Sequence, residues 1–178
     1  MQRASKRQWV LKPQDIVVAL KLHVLGAEQL SYAALAKALY LSPFEAHAAV
    51  QRLVAARLAA NVEGRVRPVV ASLRTFVVRG LQFAYPPVRG EVTIGVPTAF
   101  AAKPLKEMLV GSSELPLVWP DPSGRLRGQA LLPLYGKAPR AAVEDAQLHE
   151  LLALVDALRV GQARERDLAA RLLEERLR

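Results

Sequence analysis

Apolar residues recur at helical spacing over most of the first half of the chain. Ile16, Val17, Leu20 and Val24 share one face, which predicts a helix from Pro13 to about Leu25. Proline at its first position costs nothing, because that N–H has no partner in any helix, and Gly26 ends it. Ser31 then caps a short helix, Tyr32 to Leu39, and Tyr40-Leu41 forms a tight turn. Ser42, Pro43 and Glu45 are a strong start signal: Ser42 can cap the Glu45 amide and the Glu45 side chain can return the bond. The third helix runs to about Arg57, with Ala46, Ala49, Val50, Leu53 and Val54 as its buried stripe.

The pattern then changes period. Leu58 to Val62, a turn at Glu63-Gly64 and Arg65 to Val69 read as a short two-stranded wing. A fourth helix, about Val69 to Ala84, would close the first core with Leu73, Phe76, Val77, Leu81 and Phe83, and Tyr85-Pro86-Pro87 ends it. Residues 88–139 are rich in Pro and Gly and poorly periodic. Short strands are expected at Val92–Val96, Leu117–Trp119 and Leu126–Leu132, with a turn at Asp121 to Gly124 and a short helix near Pro104–Val110. From Ala141 the helical pattern returns in two stripes, Leu148, Leu151, Leu152, Val155 and Leu158, then Leu168, Leu172, Leu173 and Leu177, separated by Gly161. The expected fold is α+β and mainly α, in three parts: 1–84, 85–140 and 141–178.

Composition narrows the function. The 178 residues include 25 Lys and Arg against 16 Asp and Glu, a formal net charge of +9. The excess is uneven: +4 over residues 1–64, +7 over 65–140 and −2 over 141–178. A basic surface on the first three quarters of the chain makes nucleic acid the default partner. With no Cys there is no disulfide, thiolate metal site or Cys nucleophile. The longest run without a charged side chain is Val92 to Ala102, well short of the roughly 20 residues of a spanning helix. A cytoplasmic protein without a membrane partner is therefore expected.

Three helices followed by a hairpin outline a winged helix-turn-helix, in which a short helix packs across a longer one whose exposed face enters the major groove. Leu35, small Ala36 and Leu39 would make the crossing. Phe44, His47, Ala48, Gln51, Arg52 and Ala55 would face outward, Gln51 suited to adenine and Arg52 to guanine or phosphate. Arg65 and Arg67 on the wing, and Arg3, Lys6 and Arg7 in a basic arm, would meet the DNA backbone.

The run Ser31 to Leu53 (SYAALAKALYLSPFEAHAAVQRL) resembles the winged helix-turn-helix of MarR-like bacterial transcriptional regulators, a likeness covering about residues 10–70. It implies a recognition helix at Ser42–Arg57, read out by Pro43, Phe44, His47, Gln51 and Arg52. The sequence departs from the family at Tyr40, where Gly is common. Gly relieves a left-handed backbone, and a bulky residue there costs about 1 kcal/mol. Gly95 to Leu105 (GVPTAFAAKPL) and Val118 to Pro122 (VWPDP) are similar to a bacterial regulator family suspected to be encoded beside nucleotidyltransferase-like proteins in toxin–antitoxin or phage-defence operons. That resemblance implies an antitoxin or autorepressor role.

Plainer readings stand beside these. Phe44 could pack on Tyr40 or Leu41, Gln51 and Arg52 could be an ordinary polar face, and Arg65 and Arg67 could guard a strand edge. Trp119 reads as packed under a loop, with ligand stacking as the alternative. His23 and His149 lack partners at metal spacing, Gly90 and Gly95 make no phosphate loop, and Asp121, Glu91 and Glu107 make no carboxylate pair. No enzyme and no cofactor is expected. The C-terminal stripes either pack on the chain's own middle segment or form a homodimer or partner interface through Leu151, Leu152, Val155, Leu158, Leu168 and Leu172, with Asp156, Arg159 and the 164–167 charges suited to intersubunit or i,i+4 pairs. The expected function is a dimeric DNA-binding repressor acting by promoter occupancy. The alternative is a module that binds a partner protein, such as a nucleotidyltransferase-like toxin, through the winged helix or the 85–140 platform.

Overall fold

The computed structural model describes residues 9–28, 30–109 and 115–178. Arg3, Lys6 and Arg7 lie outside the described residues. The fold is α+β, with helices in the majority, one two-stranded sheet and one three-stranded sheet.

The first helix, α1 (Pro13–Leu25), opens where the Asp15 carboxylate accepts the Lys12 N–H at 2.8 Å. Its middle turns, Ile16 to Leu20, are buried on every side, so it is a central rod where a one-faced helix was expected. The second, α2 (Tyr32–Leu39), is capped by Ser31, whose Oγ accepts the Ala34 N–H at 3.1 Å. In α3 (Pro43–Ala55) the expected reciprocal cap forms: Ser42 Oγ accepts the Glu45 N–H at 3.2 Å and the Glu45 carboxylate accepts the Ser42 N–H at 2.8 Å. Ala46, Ala49, Val50 and Leu53 are buried. The helix ends two residues before the expected Arg57, which is turned to a φ of 60°.

Strands β1 (Ala59–Val62) and β2 (Arg65–Pro68) form an antiparallel hairpin closed by Glu63 and Gly64. Both turn residues have positive φ, 53° and 77°, the twist that a two-residue hairpin turn needs. Next, α4 (Val70–Thr75), a π-helical turn (Phe76–Gly80) and α5 (Leu81–Ala84) run on as one continuous rod. The wider π turn keeps Leu73, Val77 and Leu81 buried in line. It also swings Phe83 outward: the residue expected in the core is 78% exposed.

The middle of the chain is more ordered than its composition suggests. Strand β3 (Arg89–Pro97) runs antiparallel to both β4 (Leu117–Pro120) and β5 (Leu126–Leu131), which are parallel to each other, and the three close into a small barrel. Closure at this radius brings backbones almost into contact. A Cβ on Gly95 would lie 2.0 Å from the Trp119 carbonyl oxygen, and one on Gly128 2.2 Å from that of Pro116. Only glycine fits either place. The Asp121 to Gly124 turn forms as expected, with the Asp121 carboxylate accepting the Ser123 N–H at 2.8 Å. A one-turn helix, α6 (Leu105–Met108), lies between β3 and β4.

The C-terminal region holds α7 (Ala138–Glu144), α8 (Ala146–Val160) and α9 (Ala163–Arg176). Asp145 separates the first two and caps α8, accepting the Leu148 N–H at 3.0 Å. Leu151, Leu152, Val155, Leu158 and Leu172 are buried inside the single chain, and Leu168 is partly buried against the same core. The structure therefore corrects their reading as a dimer or partner interface, because this surface is already covered by the chain itself.

One hydrophobic cluster runs from Ile16 through Leu53, Leu81, Leu105 and Trp119 to Leu177. The 1–84, 85–140 and 141–178 segments thus share a core. A buried polar knot ties them together. The Asp156 carboxylate accepts from Thr98 Oγ1 at 2.8 Å, Trp119 Nε1 at 2.6 Å and Arg159 Nη1 at 2.6 Å. Arg159 Nε reaches on to the Tyr85 carbonyl at 2.9 Å, and His149 Nε2 donates to that of Pro97 at 2.8 Å. Asp156 and Arg159 are an internal pair, not an intersubunit one. Trp119 is 1% exposed and offers no face to a ligand. Among the described residues, no buried side-chain nitrogen or oxygen lacks a partner.

Candidate nucleic-acid interface

The best candidate site is the outward face of α3. At about 100° per residue, positions 44, 47, 48, 51 and 55 fall on one side of a helix, opposite 46, 49, 50 and 53. The burial follows that geometry. Phe44 is 81% exposed, Ser42, Pro43, His47, Gln51 and Ala55 are exposed, and Ala48 is half-buried. Behind this face α2 crosses through Leu35, Ala36 and Leu39, all buried. Phe44 does not fold back on Leu41 or Tyr40. His47 meets the Tyr32 ring edge-on, with centroids 4.9 Å apart, which steadies it without covering it.

Arg52 departs from the expected arrangement. Its Nε donates to Asp15 Oδ2 and its Nη2 to Asp15 Oδ1, both at 2.7 Å. The Arg52 side chain is 11% exposed and that of Asp15 0%. The hydrogen bonds it donates to Asp15 hold the guanidinium even more firmly protonated than usual, against the opposing effect of burial. Arg52 therefore fastens α3 to the start of α1, and the Nε–Nη2 edge of its fork is taken up by Asp15.

The turn between α2 and α3 is held by later parts of the chain. Tyr40 takes the left-handed conformation (φ 56°, ψ 33°) that the sequence comparison flagged as awkward for a bulky residue. Its hydroxyl bonds the Glu144 carboxylate, and the Arg140 guanidinium lies 4.6 Å from its ring centroid. The Tyr135 hydroxyl shares its proton between the Leu39 and Tyr40 carbonyls, at 2.8 and 2.9 Å. Lys137 Nζ reaches the Tyr40 carbonyl at 3.2 Å. Burial, with the nearby Glu45 charge, pushes the Tyr135 pKa up to about 12, so the phenol stays a donor at neutral pH. The Ser42 N–H and hydroxyl hold the Glu45 carboxyl below its ordinary range. It stays negative, with Lys137 and Lys12 as nearby countercharges.

Arg65 and Arg67 are exposed on β2. With Tyr32, Ser31 and Val50 they line a groove of about 270 Å³ between the α1–α2 loop and the hairpin. Tyr32 borders this groove and also meets His47 on the outward face of α3.

Sequence reasoning missed Asp15 as the partner of Arg52, and Tyr135, Lys137, Arg140 and Glu144 as braces of the turn. The partners are separated by 37 residues in the first case and about 95 or more in the others. No local pattern encodes such pairings. Elsewhere, His23 Nε2 donates to the Arg176 carbonyl at 2.8 Å. Among the described residues no group of three or more His, Asp or Glu could hold a metal ion, and no helix is long and apolar enough to cross a membrane. Comparison of the chain with protein-family models, curated proteins and solved structures finds no match.

Proposed function

We propose that this chain is a double-stranded-DNA-binding transcriptional regulator in which residues 1–84 act as a winged helix-turn-helix. The observation that carries the reading is the outward face of α3, left uncovered by the other described residues, with the Arg65–Arg67 hairpin on the same domain. In this reading α3 enters the major groove, α2 crosses the backbone, and the hairpin arginines contact phosphate. The regulator is a repressor acting by occupancy of a promoter, in the manner of an antitoxin or autorepressor in a toxin–antitoxin-like operon. Pairing on an inverted repeat uses a surface other than the leucines of α8 and α9, which the core already occupies. The reading calls for no catalysis and no cofactor.

The first experiment is a titration of the protein's own upstream promoter at several salt concentrations, against random DNA of equal length. The expected outcome is a clear preference for the promoter. On a logarithmic scale affinity should fall with salt at a slope near −0.9 per phosphate neutralised. Arg65→Ala combined with Arg67→Ala should flatten that slope by about two such increments. A flat response and equal binding to both DNAs would sink the proposal.

A second reading, docking of a partner protein such as a nucleotidyltransferase-like toxin on the 85–140 segment, is favoured by one observation. Val88, Val92, Ile94 and Leu132 on and beside the barrel strands are each about half exposed. Co-expression with the product of the adjacent gene, followed by pull-down with and without Ile94→Glu, tests it.

A further inference from the structure

The outward face of α3 has a chemical bias that the pairing of Arg52 creates. Helix α3 contains a single Lys or Arg, Arg52, whose Nε and Nη2 both donate to the buried Asp15 carboxylate and whose side chain is 11% exposed. The side chains left on the exposed stripe are Phe44, His47 and Gln51, between the small residues Ala48 and Ala55. In the major groove guanine is read mainly by Arg or Lys at its O6 and N7, adenine by the side-chain amide of Asn or Gln, and thymine by apolar contact with its methyl group. The α3 face holds an amide and a large exposed apolar ring but no free long cation. Phe44 lies in the first turn, whose residues approach base edges most closely when a recognition helix is seated.

Resting on the DNA-binding reading above, we infer that α3 reads A·T base pairs, with Phe44 against thymine methyl groups and Gln51 on adenine. Fixed cations supply affinity from outside the helix, at Arg65 and Arg67, while the helix itself carries the base preference.

The test uses the full chain and a randomised pool of duplex DNA, selected at low salt. The enriched sites should carry A·T pairs at the positions whose preference is lost in Gln51→Ala and Phe44→Ala. Replacing thymine by uracil at those positions removes only the methyl group. Affinity of the unaltered protein should fall about fourfold per contacted methyl, while Phe44→Ala should bind both duplexes equally. Both side chains are exposed and their variants should keep the fold, which circular dichroism checks. Guanine enriched at the α3 positions, or no response to uracil, overturns the inference and leaves the DNA reading in place. Sequence-blind binding overturns the inference and, with it, the promoter-selective repressor. No binding to any duplex overturns both.

Discussion

Arg52 shows how far one side chain's role depends on a partner remote in sequence. On α3 it occupies the flank between the exposed and buried faces, where either direction is open to a long side chain. Asp15 decides the matter, because a carboxylate with no exposure needs a charge partner and hydrogen bonds to be tolerated inside a protein. Arg52→Ala leaves that carboxylate with only the Lys12 N–H. The expected result is a loss of about 3–5 kcal/mol in stability, read as a lower denaturant midpoint, with no specific change in base preference beyond the loss of fold. A variant that unfolds normally but binds DNA less selectively would return Arg52 to the role its helical position first suggested. Tyr40 is the converse case. The family resemblance implied a left-handed backbone there and a turn that bulky Tyr40 would loosen or reshape, yet Tyr40 keeps the left-handed conformation. What offsets the strain, the Glu144 carboxylate and the Arg140 guanidinium, came from about 100 residues away and left no local mark.

At the level of elements, legibility followed the range of the interactions. Caps at Ser31 and Ser42, the Pro13 and Pro43 helix starts, and the Glu63-Gly64 hairpin are all set within three or four residues, and each formed where the sequence placed it. The π turn did not announce itself, because its effect is to correct a drift in the alignment of Leu73, Val77 and Leu81. The small barrel was visible as three strands but not as a closed object, since closure depends on glycines that meet strands up to two dozen residues away. The α2–α3 turn depends on Tyr135 in the same remote way. Its folded-state pKa is raised, so its contribution is fully present below the unfolded value of 10 and is lost as pH rises through about 12. Tyr135→Phe should cost about 1–2 kcal/mol at pH 7 by leaving two carbonyls short of a donor. It should also reduce the loss of thermal stability between pH 10 and 12, the remainder coming from groups such as Tyr40 and Tyr85 that are likewise raised.

For the molecule as a whole, the sequence suggested separable parts and the structure joins them. Lys21 of α1 pairs with Asp145 at the head of α8, Nζ to Oδ2 at 2.7 Å. Burial alone would raise the Asp145 carboxyl; the bonds from Lys21 and from the Leu148 amide outweigh it and hold the carboxyl below its usual value of 3.8. A depressed carboxylate adds stability above its unfolded pKa and loses it as pH falls through the folded one. Lys21→Met should therefore destabilise the protein at neutral pH, and the gap from the unaltered protein should narrow as pH drops through and below 3.8. A constant gap would mean that the lysine contributes packing alone.

The end of α9 reaches back to helices made much earlier: the Arg176 carbonyl accepts from His23 of α1 at 2.8 Å, and that of the fully buried Leu177 from Arg74 of α4 at 3.3 Å. A ribosome adds roughly 5–20 residues each second, so α1 waits on the order of ten to thirty seconds for its final neighbours. Through that interval its apolar flanks stand open to chaperones and proteases. Any activity that depends on the finished core can arise only once the residues up to Leu177 have joined it.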